Sequence, residues 1–380
     1  MPASSLLQRM AARLSRLQQL SHLRMPAEVA GVNLCSNDYL GLASDPRLKA
    51  ALLEAIEAGD RTGSTGSRLL SGHHPAWDEV EAEFAVFSGR ESALFFSSGY
   101  AANTGLLSAL LTAADVVFSD ASNHASIIDG VRLTHSQKVV YPHCDLNFLE
   151  DALRRHAHDP GARVIVTESI FSMDGDRAPL RELFHLAQRY GAEMIVDEAH
   201  ATGVCGPQGR GELAALGLED QALAVVHTCG KALAGAGAFV CGSQVLKEFL
   251  LNHARSFIFT TALPPYFADY ITAVMRLAYS MEAERARVAM LATEMRERLR
   301  GLGFDCRASS SHIVPLRIGG NEETVRTASV LQENGFAVRA IRSPSVPAGT
   351  ERIRLSLTAS LSLADVEQFC AALSAVSVLA

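Results

Sequence analysis

Short apolar runs alternate with helically patterned stretches from about residue 93 to residue 245. Seven of the runs read as strands: 93–96, 116–119, 138–141, 164–167, 194–196, 224–227 and 238–241. Residues 75–87, 101–111, 146–156 and 180–190 carry apolar positions at three- and four-residue spacing and read as helices. Strands that are apolar at successive positions, rather than at every second one, suit a sheet buried on both faces. The pattern predicts an α/β body with a mostly parallel sheet covered by helices. In such sheets ligands bind beyond the carboxyl ends of the strands.

The flanking segments have other patterns. Residues 4–24 place leucines and a methionine at helical spacing among arginines and glutamines, which predicts an amphipathic helix packed on the body or on a partner subunit. A turn-rich stretch (37–46), a helix (46–57) and a Gly/Ser loop (62–72) follow. Beyond Pro264 and Pro265 the pattern predicts one long helix at about 272–300, a strand at 313–318, a helix at 323–334, strands at 337–341 and 353–357, and a last helix at 363–377. These form a smaller α/β unit with an antiparallel sheet. The expected division is an N-terminal helix and arm (1–45), a large domain (46–270) and a small C-terminal domain (271–380).

The chemistry gathers where strands end. The run 194–196 stops at Asp197, Glu198, Ala199 and His200, and the run 224–227 stops at Thr228, Cys229 and Gly230, followed by Lys231. Strand alternation sends Asp197 and Glu198 to opposite faces. Small neighbours (Gly230, Ala232, Ala234, Gly235) suggest a crowded lysine rather than a solvated one. Ser98, Gly99 and Tyr100 follow a strand and open a helix, where free N–H groups suit a phosphate, although an ordinary strand–turn–helix connection has the same signature. His124 follows the strand 116–119 and fits a structural histidine or a ring stacked on a planar ligand. Asp197 taken alone fits a helix cap or a metal ligand as well. An imine-forming lysine, an acid for a protonated ring nitrogen and a phosphate cradle are together what pyridoxal 5′-phosphate asks of a protein.

Composition narrows the alternatives. The 380 residues carry a net charge of −7 with Lys and Arg dispersed, which excludes a nucleic-acid footprint. No apolar run is long enough for a membrane span. Seven scattered cysteines with no C-x-x-C spacing speak against a disulfide framework or a metal site, and fit reduced cytoplasmic thiols. The D-E-A-H run lacks a companion phosphate loop, and no G-x-G-x-x-G follows the first strand, which weakens a nicotinamide-dependent dehydrogenase.

Longer stretches carry a resemblance. SNDYLGL (36–42), GSTGSRLLSG (63–72), NHASIIDG (123–130), TESIFSMDGD (167–176), VDEAHATGVCGPQGRG (196–211), TCGKALAGAGAF (228–239) and VPAGTERIRLSLTA (346–359) span nearly the whole chain. With them it resembles the α-oxoamine synthases, which have the aspartate-aminotransferase-like (type I) fold of pyridoxal-phosphate enzymes. The resemblance implies that Lys231 binds the cofactor covalently, Asp197 pairs with its ring nitrogen, His200 contacts the ring oxygen and His124 stacks on the ring and meets the substrate. It gives Gly99, Tyr100 and Thr228 to the phosphate and Ser172 to a further cofactor contact. It gives Asn37 and Arg354 to the amino-acid carboxylate, Ser345 to the acyl substrate, and Arg24 to the place of an N-terminal substrate-binding arginine. Alternation puts Arg352 on the same strand face as Arg354, so the choice between them rests on the resemblance. Residues 200–211, 255–265 and 341–359 are most similar to the members that condense L-alanine with a pimeloyl thioester, carried by CoA or acyl-carrier protein, in biotin biosynthesis. Members that take glycine or another amino acid with a different acyl thioester are the alternative. A homodimer is implied too, with residues 259–263 reaching the neighbour's phosphate.

Overall fold

The computed structural model describes residues 5–20, 22–26, 28 and 30–377. Ser4 and Ser21 of the expected N-terminal helix lie outside these. The chain forms two compact units. The larger comprises Asn37–Ser172 and Asp176–Val288; the smaller comprises Met1–Ser36, Met173–Gly175 and Ala289–Ala380.

The larger unit is built on a seven-stranded sheet. Its strands are β1 (Ser92–Phe96), β2 (Val116–Asp120), β3 (Gln137–Tyr141), β4 (Arg163–Glu168), β5 (Glu193–Asp197), β6 (Ala224–Thr228) and β7 (Ala238–Gly242). They lie in the order β1-β7-β6-β5-β4-β2-β3, and only β7 runs antiparallel to its neighbours. All seven expected runs are strands in a mostly parallel sheet. Successive residues feed opposite layers: Val164 and Val166 join Leu106, Ile127 and Leu250 on one side, while Ile165 joins Phe118, Leu153 and Phe184 on the other. This double burial is why the strands are apolar at every position. β3 is the exception; it lies at the sheet edge and leaves Val140 61% exposed. A third core surrounds Trp77, with Phe84 stacked on Phe239 at 3.9 Å and Trp77 on Phe95 at 4.6 Å.

The expected long helix at 272–300 is two helices, Tyr266–Tyr279 and Glu282–Gly301. The carbonyls freed at the break find a partner in Arg285, whose guanidinium donates to Ala278 O (2.7 Å) and Tyr279 O (3.0 Å). A cation that caps a helix end from the next helix leaves no mark in the apolar periodicity.

In the smaller unit, Arg352–Ser356 pairs antiparallel with both Ala340–Ile341 and Ile313–Arg317. The strand expected at 337–341 is divided, because Ala337 pairs in parallel with Asn33 whereas Ala340 pairs with Ile353. Leu34, Leu299, Leu316, Phe336, Leu355 and Phe369 are among its buried residues. The N-terminal helix, Leu6–Gln19, opens with a Ser5–Gln8 capping box and buries none of its residues within this chain, so of the two expected packings the one on a partner subunit is left. Arg352 is held by an ion pair with Asp174, while Arg354 donates to Ser356 Oγ at 2.8 Å. The two arginines that alternation left equivalent therefore have different partners.

One clamp braces the loops beyond β3 and β4. His143 Nδ1 meets Asp120 Oδ1 and His143 Nε2 meets Asp176 Oδ2, each at 2.8 Å. Both ring nitrogens are taken by carboxylates, so the Asp120–His143–Cys144 grouping reads as a clamp rather than a metal centre. Burial opposes the imidazolium charge, but the hydrogen bonds to Asp120 and Asp176 outweigh it and carry His143 up to about 12. A raised folded-state value means that the stabilisation is complete below the unfolded histidine value of about 6.5 and fades as pH climbs from there toward 12. His143→Gln is expected to lower unfolding stability by about 2 kcal/mol at pH 6, with a smaller deficit at pH 9, as read from urea midpoints.

Candidate active site

The carboxyl ends of β4, β5 and β6 open into a cavity of about 250 Å³ lined by Asp197, His200, Lys231, His124, Glu168 and Thr228, with Gly99 and Tyr100 from the next layer. Each arrives for a local reason. Asp197 and Thr228 are the last residues of β5 and β6. Lys231 lies within the turn that Gly235 N–H closes on Cys229 O (2.8 Å), and this turn places its amine over the strand ends. Ser98 caps the helix Gly99–Leu110 by accepting Ala101 N–H at 3.0 Å. Helix geometry leaves the amides of Gly99 and Tyr100 with no intrahelical acceptor, and the helix dipole adds positive potential there.

Two hydrogen-bonded chains organise the polar groups. In the first, Asp197 Oδ1 accepts Ala199 N–H (2.8 Å) and Asp197 Oδ2 accepts Asn103 Nδ2 (2.7 Å). Asn103 also donates to Ser126 Oγ (2.9 Å), and Ser126 Oγ contacts His124 Nδ1 at 2.8 Å. In the second, the Tyr39 hydroxyl donates to Asn37 Oδ1 (2.9 Å) and lies 2.7 Å from His200 Nδ1, while His200 Nε2 lies 3.0 Å from Lys231 Nζ. A phenol has one proton. With that proton on Asn37, Tyr39 accepts from His200 Nδ1–H, and Nε2 is left as the acceptor that faces the lysine amine.

Electrostatics follow from burial. His124 lies below the ordinary histidine range, first because the surrounding protein desolvates it and then because of Lys231, with Asp197 opposing. It is a neutral ring at physiological pH. Glu198 turns to the other face, as alternation predicted, and its carboxyl accepts Glu212 N–H (2.7 Å) and Leu213 N–H (2.9 Å).

The cavity thus gathers Lys231, Asp197, His200, His124, Gly99, Tyr100 and Thr228. Asn37 joins through Tyr39. Ser172 is buried but does not line the cavity. Arg24, Ser345 and Arg354 belong to the smaller unit, where Arg24 Nη2 donates to Ser345 Oγ at 2.7 Å beside a second cavity of about 790 Å³. Sequence reasoning missed Tyr39, Asn103, Ser126 and Glu168.

The model of the aminotransferase class I and II family matches residues 29–373. The 8-amino-7-oxononanoate synthase of Anaeromyxobacter dehalogenans (strain 2CP-1) is 46% identical over 345 residues, 91% of this chain and 86% of that protein. The enzyme of the same name from Burkholderia thailandensis is 47% identical over 351 residues, covering 90% and 88%. The chain belongs to the 8-amino-7-oxononanoate synthase family. Among solved structures, the Sphingomonas wittichii serine palmitoyltransferase superposes with a TM-score of 0.91 at 29% identity, over 99% of each chain. The 8-amino-7-oxononanoate synthase of Francisella tularensis gives 0.80 at 29% identity, over 92% of this chain and 98% of that one. The fold is therefore that of the class I and II aminotransferases, and the chain is a pyridoxal-phosphate-dependent acyltransferase.

The cavity fits that cofactor. It brings an amine, a buried carboxylate, a neutral ring and a helix N-terminus to one space. At the start of the helix Gly99–Leu110 the cavity wall has no room for a side chain: a Cβ on Gly99 would stand 2.7 Å from Thr228 Cγ2. Gly99→Ala is expected to weaken pyridoxal 5′-phosphate binding about tenfold, measured by fluorescence titration of the cofactor-free protein, with little change in thermal stability.

Proposed function

We propose that the protein condenses L-alanine with a pimeloyl thioester, on CoA or acyl-carrier protein, to give 8-amino-7-oxononanoate, CO2 and the free thiol, as a step of biotin biosynthesis in the cytoplasm. The observation that carries this reading is identity of 46–47% with 8-amino-7-oxononanoate synthases along about nine-tenths of the chain. A cavity that brings together the lysine, acid and histidines which the chemistry needs supports it.

Bound pyridoxal phosphate supplies an electron sink for the negative charge left at the alanine Cα by a departing proton or carboxylate. The chain's own groups then have these roles. Lys231 would hold the cofactor through Nζ, and its amine, once free, is placed to take the Cα proton of alanine, a contribution of about 10²–10⁴-fold for general-base help. His200 Nε2, 3.0 Å away, accepts a hydrogen bond from that amine and keeps it oriented. Asp197, steadied by Asn103 and Ala199, would set its negative charge against the ring nitrogen. His124, neutral and pinned by Ser126, would stack on the ring. The amides of Gly99 and Tyr100 and the Thr228 hydroxyl would hold the phosphate. Arg354 and Asn37 are assigned to the alanine carboxylate, and Ser345 and Arg24 to the acyl substrate. Asp174 neutralises Arg352, and this supports Arg354 as the anchor.

The proposal includes a homodimer. The loop 62–72 is tied to residues 261–263 by Ala262 N–H to Gly66 O (3.0 Å) and Ser64 Oγ to Leu263 O (2.9 Å). This braced pair presents Leu69, Leu70 and Phe259 to solvent, at 50%, 82% and 70% exposure. Large apolar side chains held out on rigid loops suit a partner surface.

Product identification by mass decides among acyl donors and amino acids. The holoenzyme is expected to turn over L-alanine with pimeloyl-CoA or pimeloyl-acyl-carrier protein at least about a hundredfold faster, in kcat/KM, than glycine with acetyl-CoA or serine with palmitoyl-CoA. Preference for either of the latter pairs overturns the substrate assignment while leaving the family and the cofactor intact.

A further inference from the structure

Glu168 is the last residue of β4 and stands opposite Asp197 in the parallel β4–β5 register. Side chains at paired positions of neighbouring parallel strands point to the same face. Both acids accordingly line the same cavity. Their circumstances differ. Asp197 has one donor on each oxygen. Glu168 is 2% exposed, and its Oε1 is buried with no hydrogen-bond partner among the described residues. The backbone beneath it is fixed: Glu168 N–H donates to Asn123 Oδ1 (3.2 Å), and Asn123 Nδ2 donates to Val166 O (2.8 Å). These bonds hold the strand end from which the carboxyl projects. Glu198 is equally buried, but its oxygens are consumed by two amides on the far face.

We propose that Glu168 is a positioning residue of the cofactor site: it stands there as a neutral carboxylic acid beside the Asp197 carboxylate and offers its O–H as a hydrogen-bond donor to the bound ring. Two carboxyl groups that share one buried space do not both ionise. The acid with a donor on each oxygen keeps the charge, and the acid that leaves Oε1 without a partner keeps the proton. The charged and titratable groups that face Glu168 agree with this. Burial raises its carboxyl first and Asp197 second, up to about 8, against the opposing pull of Lys231 and of the His124 and Ser172 amides. His124 is neutral. A neutral Glu168 leaves one negative charge against the ring nitrogen; an ionised one would compete with Asp197 for it.

The inference rests on the reading of Asp197 as the acid for the ring nitrogen, not on the choice of acyl thioester. The test compares Glu168→Gln with Glu168→Ala in the full-length protein. Glutamine keeps the shape and donates hydrogen bonds but cannot ionise; alanine does neither. The readouts are the pyridoxal 5′-phosphate dissociation constant at pH 7 and the infrared spectrum of the holoenzyme. The proposal expects Glu168→Gln to bind within about threefold of wild type and Glu168→Ala to bind at least about tenfold more weakly. It also expects a protonated-carboxyl C=O band in wild type that is missing from Glu168→Gln. Glu168→Gln as weak as Glu168→Ala, Glu168→Ala as tight as wild type, or no band lost in Glu168→Gln overturns it. Asp197→Asn, measured alongside, tests the parent reading: unchanged cofactor absorbance there defeats the Asp197 assignment, and the Glu168 comparison is still decided by its own variants.

Discussion

A carboxylate buried at the end of a central strand must be held by donors or it will not stay charged, and the site depends on how Asp197 meets that requirement. One oxygen takes the amide of Ala199, which begins the turn that carries His200. The other takes Asn103, whose helix begins at the proposed phosphate cradle. Asn103 in turn holds Ser126, and Ser126 holds His124. One carboxylate therefore ties two helices, Gly99–Leu110 and Ala125–Leu133, and the turn that carries His200 into a fixed arrangement. Its opposite pole is Lys231, oriented from the other side by His200, Tyr39 and Asn37.

The sheet makes this possible because it demands so little of the polar residues. Its interior strands are apolar on both faces, so polar side chains collect where the strands stop. Asp197 and Thr228 end their strands, and Lys231 lies three residues beyond Thr228. That is why they were legible in the amino-acid order: an apolar run followed at once by an acid or a hydroxyl is a conspicuous boundary. The strand ends also explain Glu168, which closes the run 164–167 just as Asp197 closes 194–196. The signal for it was present as two neighbouring runs that each end in an acid, but only the pairing of β4 with β5 reveals that both acids enter one space.

Other features had no such signal. Asn103 and Ser126 are small polar residues inside helices, and such residues usually face solvent; here both are almost fully buried, at 2% and 1% exposure. Tyr39 reads as one more aromatic in a turn-rich stretch, yet it is completely buried and bonded to His200. The break between Tyr279 and Glu282 depends on one guanidinium, and the split of the strand at 337–341 depends on which chain segment each half meets. Apolar periodicity records which face of an element is buried; it does not record which partner satisfies a carbonyl or an amide.

The most direct test of the account is to fix the cofactor where it is bound. Borohydride reduction of the holoenzyme followed by peptide mapping is predicted to place the pyridoxyl label on Lys231. The chain's remaining lysines are Lys49, Lys138 and Lys247. A label on any of these, or no label at all, contradicts the site described.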